Sequence, residues 1–377
     1  MAMDKKIAIC ADGIHRSGLA VAKALNEAGN FTINFILSRN RFYDSVKRVI
    51  DFHSIKKIDF TGVNVSDSAF PDRLIEIVTR NNADIILPVG SAAVLISKIK
   101  PRLEKVCKVL VEDYEKLILF HDKSRTLDIA KDLDIPCPAT WLPENSDEVE
   151  ILAGKIKYPA VIKARKGTGA DGVWYAKDKS ELIWLYQKKT SKKETGDGLI
   201  RDSSKPMIQE YLSGELYDVA AFCINGEMKV GLTQKRLMTR PLSGGMGIVN
   251  VTTQHKQLLH YAEKIVDRVQ WNGVMLMDFK IDDHSGEPKL LEVNPRFWGT
   301  TWLTIKAGYN YPFYLVQSAY GMKIDFPADY KVGLHCRWPL QEIFTIFEKP
   351  FGMQVMLERL QGFISRFKLK NCVYQLL

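Results

Sequence analysis

The stretch Leu290-Leu291-Glu292-Val293-Asn294-Pro295-Arg296 holds the densest chemical signal in the chain. Apolar and polar residues alternate up to a proline, the pattern of a strand with one face in a core. On such a strand Glu292, Asn294 and Arg296 project to one side, and Leu291 and Val293 to the other. A carboxylate, an amide oxygen and a guanidinium side by side suit a divalent cation and a phosphate. Mg²⁺ takes hard oxygen ligands, and arginine presents a planar fork that fits phosphate or carboxylate. The preceding strand, Gly273 to Ile281, carries Asp278 at its centre, and a turn over Asp283 to Glu287 joins the two. Paired as a hairpin, Asp278 faces Glu292, and two carboxylates that close repel unless a cation sits between them. The alternative for these residues is a surface hairpin with a Glu292–Arg296 ion pair.

Upstream, a strand from Tyr158 to Ala164 carries Lys163 near its end and runs into Arg165-Lys166-Gly167-Thr168-Gly169-Ala170-Asp171-Gly172. Glycines let backbone N–H groups converge on one anion, and the lysine adds a point charge. The P-loop order G-x-x-x-x-G-K-[ST] is absent. A third piece is Ile208-Gln209-Glu210-Tyr211-Leu212-Ser213-Gly214-Glu215, a strand end whose free N–H and C=O groups can read an adenine edge. Acids just beyond it can accept from ribose hydroxyls. Taken singly, the glycine loop reads at least as well as a plain hairpin turn, and the third piece reads better as an ordinary strand end.

Around these lie a helix from Ser124 to Asp132 with Asp122 as its cap, ended by Ile135-Pro136-Cys137-Pro138, and a helix from Ser180 to Lys188. Thr190 to Lys205 reads as a polar insertion. Pro206 to Tyr211, Val219 to Ile224 and Lys229 to Thr233 read as antiparallel strands with an Asn225-Gly226 hairpin turn, and His255 to Val269 as a helix. The start of the chain has a different rhythm. Strands at Lys6–Cys10, Thr32–Leu37 and Ala83–Pro88 alternate with helical spacing over Leu19–Ala28 and Asp72–Asn81. That βαβ punctuation predicts an open parallel sheet over residues 1–118. The turn Asp12 to Gly18 lacks the G-x-G-x-x-G spacing of a dinucleotide fingerprint.

Composition bounds the function. The 377 residues are 46% hydrophobic and 26% charged, with a net charge of 53 − 44 = +9. Disorder is excluded for most of the chain, and no apolar run approaches the roughly 18 residues of a membrane helix. The apolar run Ile7 to Cys10 is too short for a signal peptide, and six scattered cysteines without a C-x-x-C pair suit a reducing compartment, so a cytoplasmic protein is expected. Basic clusters at Lys188–Lys193 and Arg366–Lys370 lack interleaved aromatics, which argues against nucleic acid. Trp298, Trp302, Tyr309 and Tyr311 read as core in preference to an acceptor pocket.

In their order along the chain, Asp122-Lys123, Val161-Ile162-Lys163 with its glycine loop, Gln209 to Leu212, Asp278 and Leu291 to Arg296 resemble the ATP-grasp superfamily. The resemblance covers roughly residues 1–325, and its flavour is that of the carbamoyl-phosphate-synthase-like and carboxylate–amine ligase branches. It implies an α/β and α+β architecture: a Rossmann-like preATP-grasp domain over 1–118, then a two-subdomain ATP-grasp domain over 119–325, divided near 212. Residues 326–377 remain a tail without an assigned role.

The resemblance also implies roles. Lys123 and Lys163 would contact ATP phosphates, and Lys166, Gly167, Thr168, Gly169 and Gly172 would belong to a lid over them. Glu210, Tyr211 and Leu212 would hold adenine, and Glu215 or Asp218 the ribose. Asp278, Glu292 and Asn294 would bind one or two Mg²⁺, with Mn²⁺ as a substitute. Arg296 would steady the transferred phosphoryl group, and Arg236 with Ser243-Gly244-Gly245-Met246-Gly247 would lie on the substrate side. The implied activity is ADP-forming ligation of a small carboxylate to an amine through an acyl-phosphate, in a protein that allows a homodimer. Carbamoyl-phosphate-type chemistry on bicarbonate and ammonia, or nucleotide binding without turnover, are the alternatives.

Overall fold

The computed structural model describes residues 5–11, 16–29, 31–37, 58–62, 69–166, 172–190, 205–242, 244–348, 353–369 and 371–375. Strands β1 (Lys5–Ala11), β2 (Phe31–Leu37), β3 (Ile58–Gly62), β4 (Ile85–Val89) and β5 (Lys108–Val109) form a parallel sheet in the order β3-β2-β1-β4-β5. β4 is buried along its whole length, as a strand covered on both faces must be. The helix Arg16–Ala28 follows β1 and packs Val21, Leu25 and its alanines inward, so the predicted βαβ start is observed. The helix expected over Asp72–Asn81 spans Phe70–Arg80, with proline in its first turn.

A small antiparallel sheet follows, built from β6 (Thr140–Trp141), β7 (Ala160–Lys163), β8 (Val173–Ala176) and β9 (Met207–Glu210) in the order β6-β9-β7-β8. Helices Ser146–Ala153 and Lys179–Thr190 cover one face and share with it a core of Val149, Ile162, Leu182 and Ile208. The expected insertion lies almost wholly outside the described residues.

The third sheet frames the site. It contains β10 (Gly214–Ile224), β11 (Glu227–Arg240), β12 (Met246–Thr253), β13 (Gly273–Asp282), β14 (Pro288–Asn294), β15 (His335–Arg337) and β16 (Cys372–Tyr374), ordered β14-β13-β10-β11-β12-β15-β16. Asn225 and Gly226 both take left-handed conformations (φ 50° and 80°), as the two-residue hairpin between β10 and β11 requires. The helix Lys256–Val269, capped by the His255 side chain, packs on one face of β10 and β13. The other face of the sheet meets the parallel sheet and its first helix in a core that runs from Ile7 and Phe35 to Phe222 and Trp302. Trp298, Trp302, Tyr309 and Tyr311 all lie in that core. Residues expected as a tail supply β15 and β16 at the sheet edge. Among the described residues no helix is long and apolar enough to cross a membrane.

Candidate active site

The β13–β14 hairpin places Asp278 directly opposite Glu292, as the alternation predicts. One detail differs. The register slips between Asp278 and Phe279, so that Phe279 pairs with Leu290 and Leu291 becomes an extra residue. Such a bulge shifts the parity of the strand. Leu290 and Val293 therefore enter the core, while Leu291, expected there, is half-buried. Beyond the bulge Glu292 and Asn294 share a face, with Asn294 Nδ2 donating to Glu292 Oε1 at 3.2 Å. Arg296 Nη2 donates to Asn294 Oδ1 at 3.1 Å and Nη1 to the Phe297 carbonyl at 3.2 Å, which fixes the guanidinium at the end of the strand.

Two lysines are delivered to this face from different elements. Asp122 caps the helix Lys123–Asp132 by accepting from the Ser124 backbone N–H at 3.0 Å. Arg165, two residues beyond the end of β7, donates Nε and Nη2 to the two Asp122 oxygens at 3.1 and 2.6 Å. Burial alone would raise the Asp122 carboxyl; Arg165 and Ser124 hold it below its ordinary range. This bidentate bridge ties the start of the helix to the end of β7, and so fixes Lys123 beside Lys163. Lys123 Nζ lies 3.4 Å from Glu292 Oε2. Burial lowers Lys163 to about 8, with Glu292 opposing and Lys123 reinforcing the shift.

Beneath these groups lies a buried charge cluster. Asp218 on β10 stands opposite both Asp278 on β13 and Gln234 on β11. Arg236 donates Nε to Asp218 Oδ2 at 3.1 Å, Nη2 to both Asp218 Oδ1 and Asp278 Oδ2, and Nη1 to the Gly245 carbonyl at 2.9 Å. Gln234 Nε2 donates to Asp218 Oδ2 at 2.7 Å and Thr300 Oγ1 at 2.6 Å. Burial pushes Asp278 up against the pull of Arg236, aided by the neighbouring Asp218 and Glu292 charges. Burial would also raise Glu292, but Lys123 and Lys163 bring it below its ordinary range.

Asp278 Oδ1 is buried and has no hydrogen-bond partner. An orphaned carboxylate oxygen facing a second carboxylate, with an amide oxygen two residues along, suits a hard divalent cation. Among the described residues no three His, Cys, Asp or Glu side chains form a complete metal cage. Two carboxylates and an amide oxygen are hard donors, a set that fits Mg²⁺ with its remaining positions left to phosphate oxygens.

The remaining predicted residues fall on either side. Glu210 Oε1 accepts from Ala139 N at 3.1 Å and Lys289 Nζ at 3.0 Å. Tyr211 is exposed and meets Tyr175 edge to face at 6.1 Å, and the Leu212 carbonyl accepts from Lys280 at 2.5 Å. Glu215 lies exposed and pairs with Lys235, whereas Asp218 is 1% exposed with both oxygens bonded. Gly172 closes the base of the glycine loop at φ 90°, its carbonyl accepting from Ala164 N at 2.7 Å. Lys166 precedes that loop; Gly167, Thr168 and Gly169, like Ser243, lie outside the described residues.

Three participants escaped the sequence reading. Arg165 stood in the quoted loop, but its partner is 43 residues away. Gln234 shows no local signal. Lys280 could have been found, since it lies two residues from Asp278 on the same strand face. Pro295 and Arg296 also line a cavity of about 570 Å³ between β5 and the near ends of β10 and β13.

Comparisons with known proteins bear on this geometry. Residues 122–203 match the family described as carbamoyl-phosphate synthase L chain, ATP binding domain, and residues 202–339 match ATP-grasp in the biosynthetic pathway with Ter operon. The carbamoyl phosphate synthase large chain of Methanobrevibacter smithii is 24% identical over 327 residues, covering 78% of this chain. This chain spans only 30% of that protein's length. Biotin carboxylase from Campylobacter jejuni, solved as a β,γ-ATP complex, superposes with a TM-score of 0.70 at 16% identity, covering 87% of this chain and 74% of that one. L-amino acid ligase from Bacillus licheniformis gives 0.63 at 15% identity over 85% and 75%. The two matched segments meet between the lysine-bearing elements and the carboxylate hairpin, the two parts that the Lys123–Glu292 contact joins, and residues 202–339 match an ATP-grasp family.

Proposed function

We propose that the protein is an ADP-forming carboxylate–amine ligase. The observation that carries this reading is the facing pair Asp278 and Glu292, with an orphaned oxygen on the first and Lys123 on the second, one turn of chain from Arg296. Phosphoryl transfer asks a protein for position and charge neutralisation more than for a covalent nucleophile. Lys123, Lys163 and Arg296 provide cations, and Asp278, Glu292 and Asn294 would hold Mg²⁺. When bound, that ion supplies charge neutralisation on the phosphate oxygens.

In this reading Lys123 leaves Glu292 for a phosphate when nucleotide enters, so the ion pair holds the lysine in place beforehand. The backbone of Tyr211 and Leu212 takes the adenine edge, with Glu210 positioned by Lys289. Of the two candidate ribose acids, Glu215 has solvent access, and we assign it that role; Asp218 positions Arg236. Lys166 to Gly172 covers the phosphates and excludes water. A substrate carboxylate oxygen then attacks the γ-phosphorus as its bond to the bridging oxygen breaks, giving ADP and an acyl-phosphate beside Arg296. An amine nitrogen attacks the acyl carbon. The C–N bond forms, phosphate leaves with the bonding electron pair, and the surplus amine proton passes to phosphate.

Similarity to a carbamoyl phosphate synthase keeps bicarbonate with ammonia as a second reading. A coupled ADP-release assay against pooled amino acids, small carboxylates, bicarbonate and amines separates the two. Release that requires an organic acid and an amine supports ligation; release with bicarbonate and ammonia alone supports the rival. Absence of release from every pool overturns both.

A further inference from the structure

Arg236 marks one end of a polar row that the chemistry above does not use. It stands directly opposite Asn250 on β12, and Asn250 stands opposite Cys336 on β15. Directly opposed residues share a sheet face, so the row continues the site away from the metal carboxylates. Asn250 is completely buried, and neither its Oδ1 nor its Nδ2 has a partner. The Oε1 of Gln234, equally buried, is also unpaired. Buried amides without partners are rare and costly, which calls for a missing group.

Arg16 arrives at the same place from the parallel-sheet side. It begins the helix Arg16–Ala28, is 9% exposed, and lays its guanidinium over the Trp338 ring at 4.6 Å. Trp338 lies two residues beyond Cys336, on the same side of the strand. Cys336 and Arg240 are the charged or titratable groups that act on Arg16, and among the described residues it makes no ion pair. Its Nη1 is buried without a partner. A buried cation with no counter-ion is expensive, and an anionic ligand removes that cost.

We infer that Arg16, Asn250 and Gln234 form the acceptor subsite, and that the acceptor amine is an α-amino acid. Arg16 Nη1 and Asn250 Nδ2 would donate to its carboxylate, and Asn250 Oδ1 and Gln234 Oε1 would accept from its amine. Two strand spacings of about 4.8 Å separate Arg236 from Cys336 along the sheet, so the row spans about the length of a small amino acid. Both amine partners are neutral amides. A carboxylate there would hold the amine protonated, and a protonated amine cannot attack. Ammonia offers Arg16 no anion, and bicarbonate offers the amides no amine. The inference rests on the ligase reading for the word acceptor, and on the orphaned atoms for the ligand class.

Equilibrium dialysis of the full chain, loaded with Mg²⁺ and ADP, against each of the 20 common amino acids tests it, with their methyl esters as controls. At least one amino acid is retained and its ester is not. Arg16→Gln weakens retention about ten- to hundredfold, the loss of a charge-assisted hydrogen bond. Asn250→Asp, nearly isosteric, does the same by repelling the carboxylate, and Arg16→Lys restores part of the affinity. Unchanged urea midpoints show that the variants fold. Retention of no amino acid, retention of esters equal to acids, or equal retention by folded Arg16→Gln and Asn250→Asp overturns the subsite. ADP release is read in parallel: release sustained by ammonia without amino-acid retention sinks the subsite alone. Retention without release from any acid sinks the ligase reading alone.

Discussion

Replacing Asp278 with asparagine should stabilise the metal-free protein while abolishing turnover. Burial, with Asp218 and Glu292 nearby, pushes the Asp278 carboxyl from 3.8 to about 8 despite Arg236. A group whose folded-state pKa lies above its unfolded value binds more protons folded than unfolded. Stability therefore falls as pH rises, here between about pH 4 and pH 8, with a limiting slope of about 1.4 kcal/mol per pH unit for one proton. Glu292 is shifted the opposite way, so its contribution is lost only below its ordinary range. Lys163, lowered to about 8, gives a slope of opposite sign that begins above that pH. Between pH 5 and 8 the Asp278 effect stands alone among the three. Asparagine keeps an acceptor for Arg236, which retains its two bonds to Asp218. The expected gain at pH 7.5 in chelator is on the order of 2 kcal/mol, counting part of the shift because the charges are coupled. Urea midpoints for both proteins at several pH values, with chelator and with Mg²⁺ plus ADP, provide the assay. Wild type should lose stability from pH 5 to 8 in chelator, and the loss should shrink with Mg²⁺ and ADP. Asp278→Asn should be flat. A wild-type profile that is flat or rises over that range, or a destabilised Asp278→Asn, refutes the reasoning.

Other perturbations probe separate parts of the site. Glu292→Ala should leave the fold intact and reduce ADP release to background, because it removes a metal ligand, and it should lower the urea midpoint because buried Lys123 loses its carboxylate partner; wild-type-like turnover would contradict the assignment. Arg165→Gln leaves Asp122 with its cap bonds but no cation, and should cost about 1–3 kcal/mol in denaturation while raising KM for ATP through misplaced Lys123. Gly172→Ala puts a Cβ 2.8 Å from that of Ala164 at φ 90°, and should cost about 1–3 kcal/mol in urea denaturation; a midpoint equal to wild type would contradict the close approach. Arg236→Met strands two buried carboxylates and should destabilise by about 3–5 kcal/mol, an effect that Mg²⁺ partly reverses in thermal melts.

How much of this was legible in the sequence depended on range. The Asp278–Glu292 pairing was readable because a short turn joins the two strands and fixes their partnership. The bulge at Leu291 was not, since simple alternation has no way to mark an extra residue. Lys163 announced itself by ending a strand before three glycines. Asp218 stood with Glu215 as an alternative for the ribose, because the resemblance places an acid just beyond the nucleotide strand; its bonds to Arg236 and Gln234 depend on the β10–β11 register, which sets which side chains meet. The segment after residue 326 gave no signal, because β15 and β16 have three residues each and pair with strands far away in the chain. Arg16 was hidden for the same reason: its neighbours Trp338 and Cys336 are more than 300 positions away.

The most direct test of carboxylate activation is the fate of the acid's oxygen. The protein is incubated with Mg²⁺, ATP, amines and a pool of ¹⁸O-labelled carboxylic and amino acids, and the released phosphate is analysed by mass. Attack by a carboxylate on the γ-phosphorus predicts ADP release that depends on the acid, with one ¹⁸O per phosphate. Release of ADP with unlabelled phosphate, or at a rate the acids do not change, would contradict it.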